Sequence, residues 1–307
     1  MSNPVTAALQ TLREIIDHPL NRGNRLAAAS RYMGWNLGRR LLDAEYVLPL
    51  AGGAEIILSN AENYATLAYT EGLWDFADML FLLHFLRPGD LFVDVGANVG
   101  AYTVLAGRVA RAQVIAVEPV PETFAKLRRN LRLNDIAGGA VNALNIGLAE
   151  QPGMLQFTAS RGGLNHVRPE GAADADGSVV EVEVRTLDTV LEGRVPVAIK
   201  LDVEGYEMHV LRGGSRTLSD PGLKALIVEL NGSGGRYGHA DEAVHAALGG
   251  LGFVPQDYDP AGRTLTPRQD FNRDGLNTLY VRAGTGDGTA QRLVDASKIA
   301  LRDGRSY

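Results

Sequence analysis

The chain has 307 residues, enough for one large domain or two modest ones at about 150 residues each. Apolar residues make up 45% and charged residues 21%, ordinary globular usage that excludes wholesale disorder. The net charge of −6 argues against a nucleic-acid sheath or an anionic-membrane binder, and the absence of cysteine removes disulfides, thiolate metal sites and cysteine nucleophiles together. The 36 glycines follow no three-residue period, so they imply many tight turns rather than collagen. No apolar run reaches the ~18 residues of a membrane span. The first periodic segment carries Glu14 and Asp17 and has no apolar signal core, so a soluble cytoplasmic protein is expected.

Asn3 and Pro4 suit a helix start, Val5, Leu9, Leu12 and Ile16 recur at helical spacing, and His18-Pro19 ends the run. A second helical stretch, 25–42, is basic, and its arginines read as a solvated face. Residues 46–50 and 55–58 flank Ala51-Gly52-Gly53 as a hairpin, and Phe76, Met79, Leu80 and Leu83 mark a further helix. From residue 90 the pattern alternates. Apolar runs at 91–95 and 114–117 read as buried parallel strands, with helices at 102–110 and after Pro121, and a weak strand at 140–146. In the helix after Pro121, Phe124, Leu127 and Leu131 should face inward and Arg128, Arg129 and Arg132 outward. Residues 154–158 and 179–184 alternate like an antiparallel hairpin inserted in the parallel sheet. The βα rhythm resumes at 197–202, continues through a helix to Leu218, a strand at 226–230 and a helix around 244–251, and ends in strand-like sequence from Phe253 to Val281. The expected fold is a doubly wound α/β sheet with ligands at the carboxyl ends of its strands. We divide the chain into a helical and hairpin extension (1–75), a central domain (76–284) and a tail (285–307).

The most informative segment is Asp94-Val95-Gly96-Ala97-Asn98-Val99-Gly100, at a strand end and opening a helix. Glycine suits a tight turn that a ligand approaches closely. Glu118 lies 22 residues beyond Gly96, at the tip of the next strand, where an acid can accept hydrogen bonds from both hydroxyls of a ribose. A dinucleotide fingerprint would place glycines where Asn98 and Ala101 stand, and the G-K-[ST] of a phosphate loop is absent. Asp94 would repel a pyrophosphate but suits S-adenosylmethionine, which has no phosphate and carries a cationic sulfonium and amino group.

At these residues the chain resembles a class I methyltransferase and, more narrowly, the FkbM family. The resemblance rests on F-V-D-V-G-A-N-V-G at 92–100, V-E-P at 117–119 and I-K-L-D-V-E-G-Y-E at 199–207. Supporting pieces are R-T-L-D at 185–188, H-P-L-N-R at 18–22 and N-T-L-Y-V-R at 277–282. It implies a Rossmann-like sheet, S-adenosylmethionine as cofactor and methyl transfer to a hydroxyl of a sugar, glycan or natural product. Carried onto this chain, Asp94, Gly96, Asn98 and Gly100 would line the methionine end of the cofactor. Glu118 would hold the ribose with Pro119 shaping its turn, and Gly147-Leu148 would flank the adenine.

A hydroxyl acceptor needs a base or a charge-stabilising group near its proton. Lys200, Asp202 and Glu204 alternate at a strand end, and Asp202 is the expected base with Lys200 beside it; the structural alternative is that Asp202 caps the following helix with Lys200 as its salt-bridge partner. Glu229 and Asn231 end the next strand. With Asp202 they resemble in type the magnesium site of catechol-type O-methyltransferases, and whether a divalent metal is used stays open. His166, in the flap, is a further candidate base, and Tyr206 and Tyr237 are candidate pocket walls. Three rivals were weighed. A nucleic-acid N-methyltransferase would want Asn-Pro-Pro-aromatic where Leu201-Asp202-Val203-Glu204 stands, an NAD-dependent reductase is disfavoured by Asn98 and Ala101, and a silent cofactor-binding subunit by Asp202. A small-molecule or glycan acceptor is expected, with no nucleic acid, and the extension either caps the site or builds a homodimer.

Overall fold

Proline at the first helical position opens α1 (Pro4–Asp17), and the His18-Pro19 step follows its end. The computed structural model describes residues 4–21, 23–41, 44–59, 64–136, 138–159, 162–169, 178–275, 277–284 and 288–307. Asn3, expected as the cap of α1, lies outside them. Ile15 is the side chain α1 buries, whereas Leu9 stands exposed, so the inward face is rotated from the expected one. Beside it α2 (Arg25–Leu41) buries Ala28 and Trp35. The hairpin is present as β1 (Glu45–Pro49) and β2 (Glu55–Ser59), paired antiparallel. A short helix that periodicity does not single out, α3 (Ala65–Glu71), leads into α4 (Phe76–Phe85), which is buried from Met79 onward.

The alternating part begins with β3 (Leu91–Val95) and α5 (Ala101–Val104), which widens into a π turn over Leu105–Val109. It continues through β4 (Gln113–Val117), α6 (Pro121–Leu133) and β5 (Val141–Leu144). Phe92 enters the core on one face of the sheet, Val93 and Val95 the core on the other, which is why β3 reads as an unbroken apolar run. The inward residues of α6 are Leu127 and Asn130, with Phe124 and Leu131 only half-buried. The buried amides of Asn130 and Asn134 clip the hairpin to the domain. Their side-chain oxygens accept from Ile57 N (2.7 Å) and Glu55 N (2.8 Å), and their NH₂ groups donate to the carbonyls of the same residues. Arg129 makes a two-point pair with Glu45 at 2.7 and 2.6 Å, so one of the expected solvated arginines also holds the hairpin.

Next, β6 (Gly147–Leu148), β7 (Gly153–Thr158) and β8 (Val179–Arg185) form a sheet of their own, with β7 and β8 antiparallel. The expected hairpin therefore stands beside the parallel sheet and is not a member of it; much of its polar link, 170–177, lies outside the described residues. The chain returns to the main sheet through α7 (Leu187–Leu191) and β9 (Ala198–Leu201). Two short helices, α8 (Glu207–Gly213) and α9 (Ser215–Ser219), replace the single one expected to Leu218. Then follow β10 (Ala225–Glu229), α10 (Asp241–Gly250), β11 (Phe253–Asp259), β12 (Thr264–Pro267), β13 (Asn277–Arg282) and α11 (Thr289–Val294).

Among the described residues the main sheet has the order β12-β11-β13-β10-β9-β3-β4-β5. The five strands from β10 to β5 are parallel, and β13 runs antiparallel between β10 and β11. This is the doubly wound, Rossmann-like arrangement of class I methyltransferases. The order in which successive strands are added reverses at β3, with β4 and β5 on one side and β9 and β10 on the other, and this is the switch point where such sheets bind ligands. Trp35, Ile56, Leu293 and Leu301 join the same core as Phe81 and Phe92, so segments near both ends of the chain pack on one face of the sheet. No helix among the described residues is long and apolar enough to cross a membrane.

Candidate active site

A cavity of about 360 Å³ opens at the carboxyl ends of β3, β4, β9 and β10, walled also by β13, the flap and the segment before α4. That volume is within the range of small-molecule sites, roughly 300–1,000 Å³. At its β3–β4 end, Gly96 N and Ala97 N donate to Val117 O at 3.0 and 2.9 Å, folding the loop over β4. Gly96 has φ +78, and a Cβ there would sit 1.7 Å from the carbonyl oxygen of Asp202. The glycine is thus required by the backbone leaving β9 as well as by the tight turn, and it lines the cavity. Gly100 (φ +96) is off the cavity wall; a Cβ would lie 2.3 Å from Leu127 Cδ1, so it admits α6 instead of touching a ligand. Asp94, Asn98, Pro119, Gly147 and Leu148 do line the cavity.

Glu118 is buried, and each of its carboxylate oxygens accepts a backbone N–H: Oε2 from Asn98 at 3.0 Å and Oε1 from Val120 at 2.9 Å. Burial outweighs these bonds and pushes its pKa up to about 7. Asp94 accepts from Thr103 Oγ1 at 2.5 Å, and burial raises it to about 6. Both acids face the cavity with lone pairs that these bonds do not use.

The β9–β10 end is assembled from distant parts of the chain. Lys200 is buried, and its Nζ donates to Asp202 Oδ2 at 3.0 Å and Asn277 Oδ1 at 3.1 Å, 5.5 Å from the centre of the Tyr102 ring. Burial alone would lower its pKa, but the neighbouring acids, the Asp202 carboxylate foremost, prevail and raise it, so it is an ammonium ion. Tyr102 donates its hydroxyl to Asp75 Oδ2 at 3.0 Å, and burial raises the Asp75 pKa. Glu229 lies directly opposite Asn277 in the β10–β13 pairing. Burial first, then Asp202 through charge and a hydrogen bond, hold its pKa well above the carboxylate range, so Glu229 keeps its proton at neutral pH. Its Oε2 is buried without a hydrogen-bond partner. Glu204, at φ +54, is pushed up to about 7 by burial and then by Asp202. Asp202, Glu204 and Glu229 bring one oxygen each within 4.8 Å of one another.

Of the structural alternative for Asp202, the ion pair with Lys200 is present at 3.0 Å and the helix cap is not. α8 begins at Glu207 without a side-chain cap, and Glu207 Oε1 itself accepts from Val203 N and Gly205 N. Asn231, expected beside Glu229 as a ligand, accepts from Ser233 N at 2.9 Å through Oδ1, hydrogen-bonds Glu204 through its side chain and is off the cavity wall. His166 is also off the wall: it is buried and its Nδ1 lies 3.0 Å from Leu164 O, although Leu164, Asn165 and Val167 line the cavity. Tyr206 is a wall residue, while Tyr237 ties the flap down by donating to Val167 O at 2.6 Å. The sequence reading assigns no role to Trp74, Asp75, Tyr102 or Asn277. The available signals were an isolated acid in Leu73-Trp74-Asp75-Phe76, and the asparagine of the quoted Asn277-Thr278-Leu279-Tyr280 piece.

Sheet order, switch-point cavity and carboxylate-lined loop define a class I methyltransferase. The FkbM methyltransferase domain matches residues 94–255, just over half the chain, and the protein belongs to that family. The hexuronic acid methyltransferase AglP of Haloferax volcanii is 29% identical over 187 residues, spanning 57% of this chain and 74% of that protein. The 31-O-demethyl-FK506 methyltransferase FkbM of Streptomyces tacrolimicus is 29% identical over 253 residues, 71% of this chain and 93% of that one. Among solved structures, a SAM-dependent O-methyltransferase from Thermotoga maritima overlays with a TM-score of 0.37 at 13% identity, covering 68% of this chain and 64% of its own.

Proposed function

We propose that the protein transfers the methyl group of S-adenosylmethionine to a hydroxyl of a sugar or natural-product acceptor, with Asp202 receiving the hydroxyl proton. The observation that carries this reading is the Lys200–Asp202–Glu229 set at the end of the cavity away from Glu118. The residues present fit the cofactor. Glu118, fixed by two backbone N–H groups, offers its remaining lone pairs to ribose hydroxyls, and Asp94 and Asn98 flank the place for a cationic amino-acid end. Pro119, Gly147 and Leu148 supply a wall for the adenine. The bound sulfonium supplies an already activated methyl group, so the protein's work is alignment and removal of one proton. The Lys200 ammonium balances the charge on Asp202, Asn277 fixes that ammonium, and protonated Glu229 donates to Asp202 and orients it.

The acceptor class rests on the wall and on the relatives' names. Tyr64 and Trp74 stack with ring centres 5.0 Å apart and both line the cavity, a flat apolar surface beside polar groups that suits a hydroxylated ring. The test is incubation with cofactor and a panel of glycosides, uronic acids and hydroxylated macrolides, read by mass spectrometry. The expected result is an O-methylated product with the parent and none with Asp202→Asn; methylation confined to amines would contradict it. The partnerless Glu229 Oε2 favours a second reading, in which Asp202, Glu204 and Glu229 hold a divalent cation that orients a diol. Activity lost to a chelator and restored by magnesium would select that reading, and chelator-insensitive activity the first.

A further inference from the structure

The charge of the chain is unevenly placed. Residues 1–41 contain six arginines and two acids, a net of +4, so the remainder carries −10 of the total of −6. Within that segment α2 has four arginines and no acid in 17 residues. One side of α2 is spent inside the protein: Ala28 is buried, and Trp35 stacks on Tyr69 and donates its Nε1–H to Thr66 Oγ1 at 3.0 Å. Leu26, Met33, Leu37 and Leu41 recur at intervals of seven, four and four, which places them in one stripe on the opposite side. Their exposures are 86%, 64%, 63% and 73%. Large apolar side chains scattered singly over a surface need no explanation, but four aligned ones do.

We propose that this face of α2 docks the protein on an anionic lipid surface, the helix lying in the plane of the interface with the stripe entering the headgroup–acyl boundary. A helix of this length covers about 25 Å, and the pairing of a basic composition with an exposed apolar stripe is what interfacial helices use. Charge complementarity chooses the occupant. Arg25 pairs with Asp17 at 3.2 Å and Arg31 is held by Asn21 and the Thr70 carbonyl, but α2 itself carries no acid. A second copy packed by two-fold symmetry would set this net-positive helix against itself, whereas anionic headgroups supply counter-charge. The net charge, which argues against such binding, is an average over two unlike segments. The inference is independent of the methyl acceptor.

The test is flotation of the full chain with vesicles of phosphatidylcholine alone and of phosphatidylcholine mixed with phosphatidylglycerol. The expected result is partition into the mixed vesicles at least ~10-fold stronger than into the neutral ones, weakening as salt is raised. The pair Met33→Asp with Leu37→Asp should abolish flotation while leaving the melting temperature and S-adenosylhomocysteine affinity unchanged, since both side chains are exposed. The pair Arg39→Ala with Arg40→Ala should lower partition roughly 10- to 30-fold. A chain that stays in solution with both vesicle types overturns the proposal. So does sedimentation showing a dimer that Met33→Asp with Leu37→Asp dissociates while vesicles are ignored, which would give the stripe to a second copy.

Discussion

The β3–β4 end of the cavity comes mostly from one stretch of chain, residues 94–103, closed by Glu118, whereas the β9–β10 end draws Asp75, Lys200, Glu229 and Asn277 from four separate places. The first end works through backbone: turn glycines, and N–H groups that hold one carboxylate. The second works through side chains that hold one another, an ammonium ion among acids of unequal proton affinity. Under the proposed function, failure of the first end should appear in cofactor affinity and failure of the second, where the proton is handled, in rate.

The largest effect should come from Asp202→Asn, which keeps shape and removes basicity. Turnover on an acceptor found by the screen is expected to fall by about 10²- to 10⁴-fold, with cofactor affinity by calorimetry within about twofold of the parent. A rate within about twofold of the parent would remove Asp202 from the chemistry. Gly96→Ala comes next and should damage both ends together, because its Cβ would meet the Asp202 carbonyl at 1.7 Å. A stability loss of about 3 kcal/mol or more is expected in denaturant unfolding, and a variant as stable as the parent would show that the two loops do not need their close approach.

Glu118→Ala should be milder and confined to binding. Losing hydrogen bonds to a carboxylate costs ~1.5–3 kcal/mol, roughly a 10- to 150-fold weaker cofactor affinity, with the rate at saturating cofactor little changed. The last effect concerns pH and leaves both rate and affinity aside. Burial raises Glu118 from 4.5 to about 7, so the folded protein binds this proton more tightly than the unfolded chain does. Its contribution is fully present below pH 4.5 and is lost as pH rises through about 7. The stability of the ligand-free parent relative to Glu118→Gln should therefore fall by about 3 kcal/mol across that window. Parallel stability–pH curves for the two proteins would show that Glu118 is not buried in the way described.

The same contrast explains what the sequence reveals. The β3–β4 loop is local in sequence, so Asp94, Gly96, Asn98 and Glu118 are found by spacing, and the sheet itself by short apolar runs buried on both faces. Even there a second constraint on Gly96 is invisible, because the carbonyl that forbids its Cβ lies more than a hundred residues away in the chain. Asp75 and Asn277 reach the site only through tertiary packing, which no periodicity encodes, and His166 is a plausible base by composition that folding turns off the cavity wall. Asn130 and Asn134 look like solvated residues of a helix until the hairpin edge they satisfy is in place. The apolar stripe of α2 was already written in Leu26, Met33, Leu37 and Leu41, but only the structure shows that its opposite side is the buried one.

The central claim is that cofactor binding and proton removal are separable functions of the two ends of one cavity. The double variant Glu118→Ala with Asp202→Asn tests it most directly, by cofactor affinity from calorimetry and methyl-transfer rate at saturating cofactor, each compared with the single variants. The account predicts the affinity of Glu118→Ala and the rate of Asp202→Asn, with the two free-energy changes adding to within about 0.5 kcal/mol. A coupling energy above about 1 kcal/mol, or a rate loss already complete in Glu118→Ala at saturation, would contradict it.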